Sequence, residues 1–210
     1  MPISGELIAG ALAGLAFVGC SLGNAGPAPS PGRRREVVVN GKRVKTVDIH
    51  AHCIVPEAAA VISHPLEAPG LLWSNLADRI AEMDAEGIDV EALSINPYWY
   101  RAERDPAAEL IKIQNEKLAE FCAATPDRFV AFATVALQHP QLAVEQLDYA
   151  IKTLGLRGLS VGGSVAGQEL ADPKFHPVWA KAEELGILIF MHPFGTRELE
   201  PSGRLKGSGC

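Results

Sequence analysis

The sequence has no excess of basic charge. Its net charge is −6 over 210 residues, so it lacks the basic face that a nucleic-acid surface needs to neutralise phosphates. It is also short of cysteine. Cys20, Cys53, Cys122 and Cys210 show no paired zinc spacing and are too sparse for a disulfide scaffold, so free thiols are expected. No apolar run reaches the roughly 20 residues of a membrane-spanning helix. The nearest approach, residues 7–20, is rich in Ala and Gly and precedes a Gly/Pro/Ser spacer at 21–32. Its length suits the core of a signal peptide, but no Lys or Arg precedes it and Glu6 does. Phe17-Val18-Gly19-Cys20 is loosely similar to a lipoprotein cleavage site. A cytoplasmic location and export both stay open, and residues 1–32 are set apart from the fold.

The remainder, residues 33–210, has the composition of one globular domain: 48% hydrophobic and 21% charged overall. The basic cluster Arg33, Arg34, Arg35, Lys42, Arg43 and Lys45 reads as a solvated linker before the first strand. From there, strand-like runs at 44–52, 90–95, 129–135, 158–161 and 187–192 alternate with helical patterns. The runs are continuously apolar, as expected of parallel strands covered on both faces. Leu72, Leu76, Ile80 and Met83 recur at helical spacing before Gly87. Asp105-Pro106 and Asp172-Pro173 read as caps with proline at the first helical position, and Pro140 opens a third helix ending at Gly155. Strand, helix and strand on short connections imply right-handed βαβ units. The turn after the first strand, Cys53-Ile54-Val55-Pro56-Glu57, has no glycine. The dinucleotide-binding open sheet therefore lacks its fingerprint. Gly162-Gly163-Ser164-Val165-Ala166-Gly167 has neither that spacing nor a P-loop lysine. The expected fold class is α/β: a partial TIM-like (β/α)8 barrel with about five βα units, against roughly 250 residues for a complete barrel.

Barrel enzymes place their reacting groups at the C-terminal ends of the strands. His50 and His52 close the first run, with alternation putting Asp48 on the same face. His192 closes the fifth. Three imidazoles with one open position form a recognised catalytic-zinc arrangement, so a divalent metal, zinc first, is expected. Tyr98, Trp99 and Arg101 follow the second strand at the same mouth and are candidates for substrate contact, with packing the alternative for the aromatics. Arg104 is an alternative carboxylate-holding arginine. His64, His139 and His176 read as surface positions.

Val47-Asp48-Ile49-His50-Ala51-His52 with Pro56, Gln114-Asn115, Thr125-Pro126-Asp127-Arg128-Phe129, Gly155-Leu156-Arg157-Gly158, Leu170-Ala171-Asp172-Pro173-Lys174-Phe175 and Ile189-Phe190-Met191-His192-Pro193 together resemble the amidohydrolase-related family typified by aminocarboxymuconate-semialdehyde decarboxylase. The resemblance implies a TIM-like barrel, a mononuclear divalent metal on His50, His52 and His192, and a small carboxylated substrate. It implies non-oxidative decarboxylation, with metal-dependent hydrolysis as the alternative. The family pattern adds an acid–base histidine at strand six and an aspartate ligand at strand eight. This sequence stops before either position, so a fragment without turnover is the second alternative. A homodimer is compatible with all of these readings, and no integral membrane span is expected.

Overall fold

The computed structural model describes residues 16–18, 34–66, 72–73 and 76–193. The expected leader and spacer, apart from 16–18, lie outside the described residues. So do Arg33, Cys20 and Cys210. The elements are β1 (Ala16–Val18), β2 (Val38–Val39), β3 (Lys42–Arg43), β4 (Val47–Ile54), α1 (Pro56–Val61), β5 (Leu72–Trp73), α2 (Leu76–Glu86), β6 (Val90–Ser94), α3 (Arg104–Ala124), β7 (Phe129–Ala131), α4 (Pro140–Lys152), β8 (Gly158–Val161), α5 (His176–Leu185) and β9 (Leu188–Met191).

Strands β4, β6, β7, β8 and β9 follow one another in chain order as parallel neighbours. Ladders join β4 to β6, β6 to β7 and β8 to β9. The gap between β7 and β8 is bridged just past the end of β7. Ala133 N–H donates to the Gly158 carbonyl at 2.7 Å, and Ser160 N–H donates to the Ala133 carbonyl at 2.9 Å. Helices α2, α3, α4 and α5 each fill one crossover, which is the opening arc of a TIM-like (β/α)8 barrel. Their apolar stripes meet the outward residues of the strands. Ala51, Cys53, Leu93, Ala131, Leu159 and Val161 share one buried cluster with Met83, Leu110, Ile111, Leu118, Leu147 and Val178.

Three features depart from the sequence reading. Composition set the first 32 residues apart from the fold, yet β1 pairs antiparallel with the C-terminal half of β4, Val18 opposite His52. Leu72, read as part of a helical stripe, lies in β5, which pairs with β1. The basic stretch is not a plain solvated linker. Asn40 and Gly41, both at positive φ, form the tight turn of the β2–β3 hairpin. Arg34 and Arg43 both reach the buried Asp89 carboxylate, Arg34 at 2.8 Å. Thr46 N–H donates to the other oxygen of that carboxylate at 2.8 Å. These bonds hold the Asp89 carboxyl below its ordinary range, the Thr46 amide most of all. They tie the entry to β4 against the loop before β6, at the end of the barrel opposite the mouth.

Candidate metal centre

The site begins with the strand that carries two of its histidines. β4 does not run in simple alternation. Val47 and Asp48 pair with Val90 and Glu91, but Ala51 and His52 pair with Leu93 and Ser94, so β4 carries one extra residue between Asp48 and Ala51. Such a bulge re-aims the side chains beyond it. Asp48 is consequently in register with Glu91, which points to the helix side and is held by Arg79 of α2 at 2.8 Å. The expectation that Asp48 shares the histidine face fails because of this inserted residue. Asp48 still holds the strand locally, its carboxylate accepting the His50 N–H at 2.8 Å.

His50 and His52 point into the barrel. Strands one and five of an eight-stranded barrel face each other across the interior, and His192 arrives there from β9, its N–H donating to the Val161 carbonyl at 2.9 Å. The three rings form a triangle with centroid separations of 4.7 Å (His50–His52), 4.8 Å (His50–His192) and 4.6 Å (His52–His192). One ligating nitrogen from each ring can be chosen so that all lie within 4.8 Å of one another. Beneath His50 lies Phe190, 5.6 Å away, and Phe190 stacks on Phe132 at 5.4 Å. The floor of the site is therefore apolar.

Burial keeps two of the three rings, His52 and His192, in the ligating form. Burial first, then the nearness of His192 and His50, lowers the His52 pKa from 6.5 to about 4. Burial and then His50 lower that of His192 as well. Uncharged imidazole is the form that binds metal. The fit to a cation is visible in the geometry too: His52 Nε2 is buried with no hydrogen-bond partner, and an orphaned buried acceptor calls for an explanation. A cation held by three imidazoles supplies one. Among the described residues, no carboxylate joins the three histidines.

The other candidates are placed as follows. Trp99 is fully buried and its indole N–H donates to the Val135 carbonyl at 2.9 Å, so it packs under the loop. Tyr98 is half-buried against Ile54, two residues beyond His52, and its ring stacks on His64 at 4.1 Å. Burial pushes the Tyr98 hydroxyl up to about 12. Arg101 and Arg104 are exposed. Sequence reasoning gave Gln114 and Asn115 no physical role, and the structure supplies one. Asn115 Nδ2 donates to the Thr134 carbonyl at 2.9 Å and its Oδ1 accepts the Thr134 N–H at 2.8 Å. Gln114 accepts from the Thr134 hydroxyl at 2.9 Å and donates to the Tyr98 hydroxyl at 2.9 Å. Two adjacent amides on an otherwise apolar helix stripe were the available signal, since buried amides need partners. Sequence reasoning also passed over Ser94, whose hydroxyl is buried without a partner beside His52.

Comparison with known proteins adds the lineage. The gamma-resorcylate decarboxylase of Rhizobium sp. (strain MTP-10005) is 36% identical over 141 residues, covering 60% of this chain and 43% of that protein. The 2-amino-3-carboxymuconate-6-semialdehyde decarboxylase of Dictyostelium discoideum is 30% identical over 118 residues, covering 55% of this chain and 33% of that one. The chain thus spans less than half the length of either relative. A solved structure of 5-carboxyvanillate decarboxylase from Novosphingobium aromaticivorans, a D314N mutant with bound manganese and 3-methoxy-4-hydroxy-5-nitrobenzoic acid, superposes with a TM-score of 0.52. It is 31% identical, over 55% of this chain and 34% of that one. The ion in that relative is manganese, so the expectation of zinc in particular has no support from it. The family model described as "Amidohydrolase" matches residues 47–203, from the start of β4 to beyond His192, and the chain belongs to that family.

Proposed function

We propose that His50, His52 and His192 hold one divalent cation, and that this chain carries the metal-binding part of a non-oxidative decarboxylase acting on a small carboxylated aromatic acid. The observation that carries the reading is the convergence of three imidazoles, two from β4 and one from the end of β9 at least 140 residues later, with ligating nitrogens within 4.8 Å. When bound, a divalent cation supplies Lewis-acid stabilisation of the negative charge that develops as carbon dioxide leaves. The chain's own residues set the conditions for it. His52 and His192 are held neutral by burial, ready to ligate without first losing a proton. Buried Phe132 and half-buried Phe190 form an apolar floor beneath His50, which lowers the local polarity and strengthens the charge interactions above it. The Gln114–Thr134 bond fixes the amide that holds the Tyr98 hydroxyl near the mouth, and burial keeps that phenol protonated at neutral pH. The carboxylated substrates named for the relatives support decarboxylation over hydrolysis.

Calorimetric titration of the chain with Zn2+ and Mn2+ tests the centre. One cation binds per chain, zinc the tighter of the two because imidazole donors follow the Irving–Williams order. His50→Ala and His192→Ala each lower the affinity at least tenfold. Unchanged stoichiometry and affinity in both variants would rule out the centre. Release of carbon dioxide from gamma-resorcylate by the metal-loaded protein separates decarboxylation from hydrolysis.

A further inference from the structure

We infer that Ser94 is a substrate-positioning residue: its hydroxyl donates a hydrogen bond to an anionic oxygen of the carboxylated ligand seated over the histidine trio. The inference rests on the proposed reading of the site and names a residue which that reading does not use. Ser94 is the parallel register partner of His52. Register partners project to the same side, so Ser94 faces the barrel interior with His52, while Ala51 and Leu93 pack toward the helices. Adjacent strands lie about 4.8 Å apart, so an oxygen within ligand distance of a cation on His52 is also within reach of the Ser94 hydroxyl.

Hydrogen-bond accounting then identifies the role. Ser94 is 2% exposed, and its Oγ has no partner. His52 Nε2, on the neighbouring strand, has none either. Two orphaned polar atoms at paired positions of neighbouring strands mark a place completed by something else. Their chemistry divides the task. The imidazole nitrogen is a lone-pair donor suited to a cation, and the hydroxyl is a proton donor suited to an anion. A carboxylate lying above the trio meets both needs.

The test uses the full chain and its Ser94→Ala variant, with Mn2+ and gamma-resorcylate as probes. Removing a hydroxyl that has no protein partner leaves the melting temperature unchanged or raises it, and leaves the affinity for Mn2+ alone unchanged. Gamma-resorcylate, titrated in the presence of Mn2+, binds Ser94→Ala about tenfold more weakly, equivalent to ~1.4 kcal/mol for a hydrogen bond to a charged oxygen. Equal gamma-resorcylate affinity in the two proteins overturns the inference. So does a lowered melting temperature, which would reveal a structural partner, or no gamma-resorcylate binding by the unaltered chain with or without Mn2+. If the unaltered chain binds no Mn2+ but still binds gamma-resorcylate in a Ser94-dependent manner, the metal reading fails and the positioning role stands.

Discussion

His52 shows how much one position can be asked to do. It is buried, its Nε2 lacks a partner, and its pKa falls from 6.5 to about 4. A histidine kept neutral by the fold takes up fewer protons than the same histidine in the unfolded chain, so acid favours unfolding. Between pH 6.5 and 4 the metal-free chain should therefore lose stability as the pH falls, with the His52 contribution fully present above that window. His192 is shifted the same way, whereas Glu82 and Glu91 are raised by burial and act in the opposite sense. The clean measurement is a comparison. Urea midpoints at pH 7 and pH 4.5 should differ more in the unaltered chain than in His52→Asn, which cannot charge there. An equal fall in both would mean that His52 is not held neutral by the fold.

At the scale of elements, Gly158 is where one missing atom decides the site. A Cβ there would lie 2.7 Å from the Leu188 carbonyl and 2.9 Å from the Phe132 ring. Neither can yield cheaply, because the carbonyl belongs to β9 and the ring stacks on Phe190. Gly158→Ala should push β8 and β9 apart, cost about 1–3 kcal/mol as overpacking does, and weaken cation binding by moving His192. Unchanged urea midpoint and unchanged Mn2+ affinity would refute this. The same elements show what could be read in advance. All five parallel strands and helices α2 to α5 announced themselves through apolar runs, Gly stops and prolines, because those signals are local, although α3 starts at Arg104 with Glu103 as its N-cap and not at the expected Asp105-Pro106. The histidine positions followed from strand ends. The Asn40-Gly41 hairpin was also locally written, in the residue pair that favours such turns, but its basic neighbours obscured it. The bulge in β4 was not legible, because an extra residue shows only against its partner strand, and it alone turned Asp48 away from the histidine face. The pairing of Arg34 and Arg43 with Asp89 was hidden for the same reason, being a contact across some 50 residues of chain.

For the molecule as a whole, the outer edge of the arc is the exposed part. Leu188, Ile189 and Met191 of β9 are 57%, 41% and 59% exposed, and Val47 and Ile49 at the start of β4 are 51% and 53% exposed. Among the described residues, β9 pairs with β8 on one edge and with no strand on the other. An apolar strand with a free row of N–H and C=O groups is a template for pairing with another chain. The edge of β4 away from β6 is treated differently, since β1 covers its last three residues. Self-association is therefore expected to run through β9 rather than β4. The 210-residue chain should show a weight-average mass that rises with concentration in sedimentation or light scattering. Ile189→Lys, placing charge on the exposed strand, should shift it toward monomer. Because Ile189 is directed by alternation away from the Phe190 side that meets His50, that substitution should leave Mn2+ affinity intact. A variant that associates as strongly as the unaltered chain would place the contact elsewhere. A variant that loses the metal would show instead that edge and centre are coupled, with β9 held in place for His192 only while its outer face is apolar.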